Sequence, residues 1–368
     1  MKEPISILRG YKSLVYLGDK IVLARSNDIY VADLRLERIE YVCSLGTLRG
    51  IWILLSRLRI MQRFLRLEMG PATPLDKYGC FLVFFQGTVF HVDLEKRIAT
   101  PEVVPTITKK PLQMLLIQSG VGKGSVLFGD YNVNLEYACV NIYRRYPNGV
   151  WEIAFVFPKG EINHVHGLFE DVRRNRLYIL TGDFDQGACI WVADMALKYV
   201  RPMFRSGQMS RACWILPWED MLVFPTDQQE AFNYLCTIAG DQFEVIKRHF
   251  PIAGSSIFYS SSHTDPIVFS TAVEPSSANK ITIWSLLSIR RAAGMLSDES
   301  CVYVGTPSRG FEIIFSGKKD CLPFGLFQFG NINFPSGSSN DQTYVHFYCS
   351  GLLGHDGTTY AMRLGPKQ

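Results

Sequence analysis

The chain has 368 residues, of which 47% are hydrophobic and 13% aromatic. This content is enough for a large buried core and excludes an intrinsically disordered protein. The 38 basic and 34 acidic residues leave a net charge of +4, and the basic residues are scattered along the chain, so we expect no nucleic-acid partner.

The N-terminal segment and the cysteines bear on the location of the protein. Residues 1 to 20 contain no uninterrupted apolar segment and no small-residue cleavage site, so we expect no secretory signal. The nine cysteines are an odd number and include no CxxC pair. Most of them, such as Cys213 and Cys349, lie in apolar segments, which is typical of free thiols in a reducing compartment. We therefore predict a cytoplasmic protein without a structural zinc site.

Residues 48 to 69, LRGIWILLSRLRIMQRFLRLEM, form a basic amphipathic segment with five arginines. The apolar spacing predicts a helix inserted near 48 to 62, packed on the fold and running into a strand near Arg63. The segment is too charged to span a bilayer. Peripheral contact with an anionic membrane surface through residues 48 to 66 is the alternative to packing.

The rest of the chain repeats β-hairpins on both sides of this segment, from KIVLARSNDIYVADL at residue 20 to TYVHFYCSGLLGHDGTTYAMRL at residue 343. The turns recur about every 40 to 60 residues, and one more short strand flanks each hairpin on either side, which is typical of four-stranded propeller blades. Residues 163 to 205 and 211 to 250 form two such units. We predict an all-β propeller as a single domain over residues 1 to 368.

Seven units can be counted, the last of them, over 325 to 365, one strand short. The N-terminal PISILR can supply that strand and close the ring, which removes open sheet edges. Six blades with an irregular insertion is the alternative, because residues 288 to 325 are poorly periodic.

The stretch INHVHG, at the start of one unit, is predicted to place polar residues on one face of the propeller. The start of each innermost strand and the turn between the second and third strands converge on the same face around the central channel. His164 and His166 then begin one innermost strand and Arg211 begins the next. Arg63 and Arg66 are predicted to begin the innermost strand of blade two.

Further polar residues are predicted to reach that face from the turns. The catalytic candidates are His164, His166, Arg211, Asp183, Asp227, Asp130 and Tyr131, and the substrate-binding candidates are Arg63, Arg66, Asn134, Asn233 and Gln228. Aspartate and asparagine in turns also cap backbone N–H groups, so local turn formation is the alternative for each of them. A structural histidine is likewise the alternative for the histidine pair.

The order HVHG, LYILTGD, CIWVAD, SGQMSRA and FPTDQQEAFN resembles the sialidase-like, BNR-repeat propeller proteins of bacterial surface-polysaccharide loci. The resemblance covers roughly residues 60 to 290. WVADMALKYV keeps only the position of the Asp-box aspartate, Asp194, and the sialidase catalytic set is not recognisable. The resemblance implies a propeller with a glycan or polysaccharide ligand, and puts sialic acid cleavage in doubt.

A glycoside hydrolase acting on a bacterial polysaccharide or oligosaccharide, with its site in the central funnel, is the first functional expectation. Hydrolysis needs two carboxyl groups across the scissile bond. Asp130, Asp183 and Asp227 come from successive blades and can supply such a pair.

A uronate polysaccharide lyase is the second expectation. There a Tyr or His removes a proton while an Arg or His neutralises the substrate carboxylate, and Tyr131, His164 and Arg211 supply these types. A non-catalytic glycan- or protein-binding scaffold in polysaccharide assembly is the third, because propellers serve many functions. We expect no organic cofactor; a divalent metal at His164, His166 and a nearby aspartate is an alternative.

Overall fold

The computed structural model describes residues 4–105, 110–239, 245–276 and 282–364, so the two ends of the predicted 1 to 368 domain lie outside the described residues. Seven four-stranded antiparallel sheets form the blades of a closed ring. The predicted seven-bladed propeller is confirmed, and the six-bladed alternative is wrong.

The chain begins with β1 (Pro4–Arg9) and then builds the blades in order. Blade one comprises β2 (Lys12–Leu17), β3 (Lys20–Arg25), β4 (Asp28–Asp33) and β5 (Ile39–Ser44). The helices α1 (Ile51–Arg57) and α2 (Arg59–Phe64) follow it. Blade two comprises β6 (Ala72–Pro74), β7 (Cys80–Phe85), β8 (Thr88–Asp93) and β9 (Ile98–Glu102). Blade three comprises β10 (Leu115–Leu116), β11 (Val126–Gly129), β12 (Val140–Arg145) and β13 (Trp151–Phe157).

The remaining blades follow the same pattern. Blade four comprises β14 (His164–Asp171), β15 (Arg176–Gly182), β16 (Cys189–Asp194) and β17 (Val200–Phe204). Blade five comprises β18 (Leu216–Trp218), β19 (Met221–Pro225), β20 (Tyr234–Ala239) and β21 (Val245–Pro251). Blade six comprises β22 (Tyr259–Thr264), β23 (Ile267–Ser270), α3 (Ile283–Leu286), β24 (Glu299–Thr306) and β25 (Gly310–Lys318). Last come α4 (Phe324–Phe327), β26 (Asn331–Asn333), β27 (Tyr344–Ser350) and β28 (Thr358–Arg363).

The first strand of the chain closes the ring, as predicted. β1 pairs antiparallel with β28, with Ile7 opposite Tyr360, and becomes the outermost strand of blade seven. The poorly periodic stretch from 288 to 325 contains β24 and β25. These are the third and fourth strands of blade six, which a long connection separates from β23.

Aromatic side chains pack within the blades and between neighbouring blades. Trp214 is fully buried and stacks on Tyr259, with 5.4 Å between the ring centroids, which joins blades five and six. Phe269 stacks on Tyr303 within blade six, with 4.9 Å between centroids. Burial of each such side chain stabilises the fold by about 1.5–3 kcal/mol. The packed blades form a rigid support for the loops at both faces of the ring.

We call the face at which the innermost strands begin the upper face. The helices α1 and α2 lie there, between the end of β5 and the start of β6. Arg63 lies inside α2 and Arg66 follows it, so the prediction that they begin the innermost strand of blade two is wrong. That strand is β6. None of the described helices is long and apolar enough to cross a membrane.

The physical reason for the difference is a set of ion pairs with blade seven. Arg63 is buried, pairs with Asp320, lies 3.3 Å from Asp356 Oδ2, and donates to the Phe327 carbonyl at 2.8 Å. These partners are more than 250 residues away in the sequence, so a local pattern contains no sign of them. They hold residues 59 to 64 as a helix on the ring.

Candidate functional site

The segments HVHG and TGD lie side by side in blade four. His164 pairs with Gly182 and Gly167 with Leu180, and the register shift between them leaves His166 as the extra residue of a β-bulge. A bulge turns side chains out of the regular alternation of a strand. Here the two imidazole rings lie next to each other, with 4.9 Å between their centroids.

Gly182 makes room for this arrangement. A Cβ atom at this position would lie 2.8 Å from His166 Cε1 and 3.2 Å from Arg211 Cγ. Both distances are shorter than the contact of about 3.5–4.0 Å that carbon atoms prefer. The glycine therefore lets the ring and the arginine side chain rest on the backbone, while the next residue, Asp183, projects towards them.

Backbone carbonyls fix the orientation of both rings. His164 Nδ1 lies 2.8 Å from the Asn132 carbonyl oxygen, and His166 Nδ1 lies 2.8 Å from that of Ala212. A carbonyl only accepts, so each Nδ1 carries a hydrogen and donates it. In the neutral rings, each Nε2 is then an unprotonated acceptor.

These two acceptors face each other and a carboxylate. The Nε2 atoms of His164 and His166 are 3.0 Å apart, and each lies 3.4 Å from Asp183 Oδ1. Three lone-pair donors at this spacing repel one another unless a proton or a cation lies between them. The arrangement can therefore hold positive charge at one defined point.

Arg211 connects this group to blade five. Its Nη2 lies 3.1 Å from Asp183 Oδ1 and 3.2 Å from Asp227 Oδ2, and Nη1 donates to the Asp183 carbonyl at 3.3 Å. Burial raises the pKa of Asp183, but the contacts with both histidines and the charge of Arg211 outweigh it, so the pKa lies well below its usual range. Asp183 is therefore a carboxylate at any physiological pH.

Tyr131 covers the histidines from blade three. Its ring centroid lies 4.6 Å from that of His164, and burial raises the pKa of its phenol well above the ordinary value, so the phenol is neutral. His164 and His166 are only 3% and 2% exposed, whereas the Asp183 side chain is 32% exposed. The group thus opens to solvent at Asp183. We call this group the histidine cluster: Tyr131, His164, His166, Asp183, Arg211 and Asp227.

Two buried neighbours of the histidine cluster were missed by the sequence analysis. Cys213 donates from Sγ to Asp227 Oδ2 at 3.3 Å. Burial and the charge of Asp227 raise the pKa of Glu274 to about 8, so its carboxyl group is largely protonated at neutral pH. Cys213 lies two residues after Arg211, a spacing that could have indicated it. Glu274 follows β23 in the long connection of blade six, where the repeat gives no signal.

Several predicted residues lie outside the histidine cluster, with their polar atoms bound to their own turns. Asp130 accepts from the Asn141 amide at 3.0 Å and from the Tyr143 hydroxyl at 3.3 Å. Asn134 donates at 2.9 Å to the carbonyls of Ala138 and Asn163. For these residues the structure agrees with the turn-forming alternative.

On blade five, Asn233 and Gln228 also bind their own turn, whereas Arg63 and Arg66 lie on another part of the ring. Asn233 Nδ2 donates to the Gln228 carbonyl at 2.9 Å and Gln228 Nε2 lies 3.5 Å from the Phe232 carbonyl, so both side chains shape one turn. Arg63 and Arg66 lie on the linker between blades one and two, on the upper face but away from blades four and five.

The central channel contains a cavity of about 680 Å³. Residues of all seven innermost strands or their flanks line it, among them Ser13, Thr73, Gln113, Leu168, Leu216, Tyr259 and Phe334. The members of the histidine cluster are not among its lining residues. They lie at the upper end of blades three to five, so the predicted site is next to the central channel but does not line its cavity.

No family model matches this chain, and a search of curated proteins finds no relative. Among solved structures it is similar to an oligogalacturonate lyase from Vibrio parahaemolyticus, with a TM-score of 0.60, 11% identity, and coverage of 100% of this chain and 93% of that one. The AfRom2 CNH domain has a TM-score of 0.57 and 10% identity, with coverage of 99% of this chain and 99% of that one. A chain of the mitotic checkpoint complex has a TM-score of 0.55 and 8% identity, with coverage of 99% of this chain and 95% of that one. The likeness is one of fold. These neighbours are diverse propellers, so the comparisons leave the function of the histidine cluster to its own chemistry.

Proposed function

We propose that the protein is a carbohydrate-active enzyme that cleaves an acidic saccharide by β-elimination at the histidine cluster. The observation that carries the proposal is the convergence of His164, His166 and Arg211 on the exposed carboxylate of Asp183, with Tyr131 above them. The motif order that resembles propellers of polysaccharide loci supports a saccharide ligand. The fold shared with an oligogalacturonate lyase is consistent with this chemistry.

Elimination fits the carboxyl groups better than hydrolysis does. A glycosidase needs two carboxyl groups across the scissile bond, one of them a neutral acid. Asp183 and Asp227 are instead both bound to the same nitrogen of Arg211. The neutral acid, Glu274, favours hydrolysis as the second candidate, but it is buried behind Asp227.

β-Elimination from a uronate removes the proton at C5, stabilises the charge that develops on the carboxylate, and expels the oxygen at C4. The two imidazoles are too deeply buried to reach a C–H bond, so we assign acceptance of the C5 proton to the Asp183 carboxylate. The neutral phenol of Tyr131, which is partly exposed, then donates its proton to the oxygen that leaves C4. The histidine pair and Arg211 supply the electrostatic part of the reaction. Positive charge between the two Nε2 atoms would face the substrate carboxylate.

The test is product analysis with a panel of uronate-containing polysaccharides. Elimination gives an unsaturated uronate that absorbs in the near ultraviolet, whereas hydrolysis gives a saturated reducing end. We expect Tyr131→Phe and Arg211→Ala to abolish the absorbance, while His249→Ala, a histidine of β21 outside the histidine cluster, leaves it unchanged. A saturated product would favour the hydrolase. Binding without any product, lost in Arg211→Ala, would replace the enzyme by a scaffold.

A further inference from the structure

We propose that His164 Nε2, His166 Nε2 and Asp183 Oδ1 together bind one divalent transition-metal cation. The three atoms are 3.0, 3.4 and 3.4 Å apart. Ligands bonded at about 2.1 Å lie about 3.0 Å apart at right angles and about 3.4 Å apart in a tetrahedron. The observed spacing matches that of a small cation's ligands without movement of either ring.

The outer contacts are also those of a metal centre. Metal-binding imidazoles donate their other N–H to a carbonyl or carboxylate, which fixes the ring and its tautomer. His164 and His166 do this towards the carbonyls of Asn132 and Ala212. Arg211 holds the third ligand, Asp183. Every ligand therefore reaches the cation point with a support of its own.

The charge of the histidine cluster requires a counterpart. Arg211 contributes one positive charge, and Asp183 and Asp227 two negative ones, so with neutral imidazoles the formal sum is −1. Two unprotonated Nε2 atoms add their lone pairs to this region. A divalent cation turns the sum to +1, which an acidic saccharide would meet with its carboxylate.

A second set of ligand types, His166, Cys213 and Asp227, lies close by. The nitrogen that faces Cys213 is His166 Nδ1, at 3.6 Å, and this atom donates to the Ala212 carbonyl. It has no lone pair for a metal. The cation site is therefore assigned to the Nε2 side of the ring, where Asp183 is exposed and leaves coordination positions open to solvent.

The cation deepens the proposed function, and only its catalytic part rests on that function. Two protein nitrogens and one carboxylate leave positions for a substrate carboxylate oxygen. A cation bound there would stabilise the negative charge that develops on that carboxylate during elimination.

Calorimetric titration of the metal-free full chain with ZnCl₂, MnCl₂ and CaCl₂ tests the site directly. We expect one transition-metal site per chain and weaker binding of Ca²⁺, which prefers oxygen ligands. His164→Asn keeps a donor for the Asn132 carbonyl but removes Nε2, and should weaken binding by more than about tenfold. His249→Asn is the matched control. Equal affinity of wild type and His164→Asn, or no binding by the wild type, overturns the site.

A spectroscopic measurement on the wild type covers the case in which the variant does not fold. Electron spin-echo modulation of the Cu²⁺-loaded chain should show two coordinated imidazoles, and one or none overturns the assignment. The two proposals fail separately. Metal binding without an elimination product supports the cation site and overturns the proposed function. Elimination that is unaffected by a chelator supports the proposed function and overturns the role of the cation in it.

A different observation, the helical insertions of the upper face, carries a second inference. α1 and α2 expose Trp52, Leu54 and Phe64, and the segment around α3 exposes Ile283, Trp284 and Ile289. α4 joins them: Phe327 lies 5.6 Å from Phe64, and the Phe324 amide donates to the Ser288 carbonyl at 3.0 Å. We call this the apolar-basic surface.

Its charge identifies the partner. Arg49, Arg57, Arg66, Arg290 and Arg291 are exposed within or beside these segments. Residues 49–67, 282–297 and 324–327 contain no aspartate or glutamate. Exposed apolar side chains with arginines around them match a bilayer with anionic headgroups, although Asp298 adjoins the second of these segments. We infer that the apolar-basic surface docks on an anionic membrane surface.

Sedimentation with vesicles tests this docking. We expect binding to vesicles of equal parts phosphatidylglycerol and phosphatidylcholine, weakened by salt, and about tenfold less binding to pure phosphatidylcholine. The double variant Trp52→Ser, Trp284→Ser should lose it, while Tyr78→Ser, on the opposite face between β6 and β7, should not. Equal loss in both variants overturns the proposal. So does a wild-type dimer that the double variant abolishes without any vesicle binding.

Discussion

Replacement of Gly182 by alanine tests the geometry of the histidine cluster without changing any polar side chain. The new Cβ atom would lie 2.8 Å from His166 Cε1 and 3.2 Å from Arg211 Cγ. To restore a contact of about 3.5 Å, the imidazole must move by about 0.7 Å. The backbone at Gly182 is not in the left-handed region, so this crowding is the dominant effect.

Crowding of this size in a packed interior costs about 1–3 kcal/mol. Because His166 cannot shift without lengthening its contact with Ala212 or leaving His164, metal affinity should also fall, by about 10- to 100-fold. Guanidinium denaturation and zinc calorimetry measure the two effects. Gly79→Ala is the control, since its Cβ atom would meet its nearest neighbour, Leu94, at an ordinary 3.4 Å. Wild-type stability and affinity in Gly182→Ala would refute the reasoning.

Three further changes concern buried charges. Burial raises the pKa of Glu68, but the charge of Arg59 outweighs it and lowers the pKa to about 2. The ionised Glu68 therefore contributes about 3 kcal/mol to the free energy of unfolding above pH ~4.5, and this contribution is lost as the pH falls towards ~2. In Glu68→Gln the free energy of unfolding should change less with pH over that range. Arg63→Ala removes one buried cation from Asp320 and Asp356, which keep Lys319 and Arg59 as partners. It should cost about 1–3 kcal/mol, against about 0–1 for the exposed Arg97→Ala, both measured by chemical denaturation. Glu274, with its pKa raised to about 8, contributes stability that is fully present below pH ~4.5 and is lost as the pH rises through 8. Between pH ~4.5 and ~8 the free energy of unfolding of Glu274→Gln should therefore fall less than that of the wild type; a parallel decline in both would contradict this.

The strands were predictable wherever alternation and turn residues recur locally. The predicted unit over 163 to 205 matches blade four, β14 to β17, because each of its strands is an apolar run that ends at a turn. The predicted inner strand RACWILPW is shorter in the structure, where β18 begins only at Leu216. The residues before it bend to bring Arg211 to Asp183, and no local pattern distinguishes such a bend from a strand.

The histidine cluster was predictable in its members but not in its geometry. Strand order alone placed His164, Asp183 and Asp227 on one face. The register shift at His166 sets the distance of 3.0 Å between the two Nε2 atoms. It follows from the pairing of β14 with β15, and the alternation of apolar and polar residues along the sequence gives no sign of it. Glu274 enters from an irregular connection whose path depends on packing against blades five and seven.

The pairing of β1 with β28 also determines how the ring would respond to a pulling force. Pro4 lies opposite Met362, so the two outer ends of this ladder are neighbours. A force that separates them acts across the ladder and loads its hydrogen bonds one after another, starting at Pro4. Opening the ring in this direction is a peeling process that needs little force at any moment. The strand that completes blade seven would therefore be released from β28 one hydrogen bond at a time under such a force.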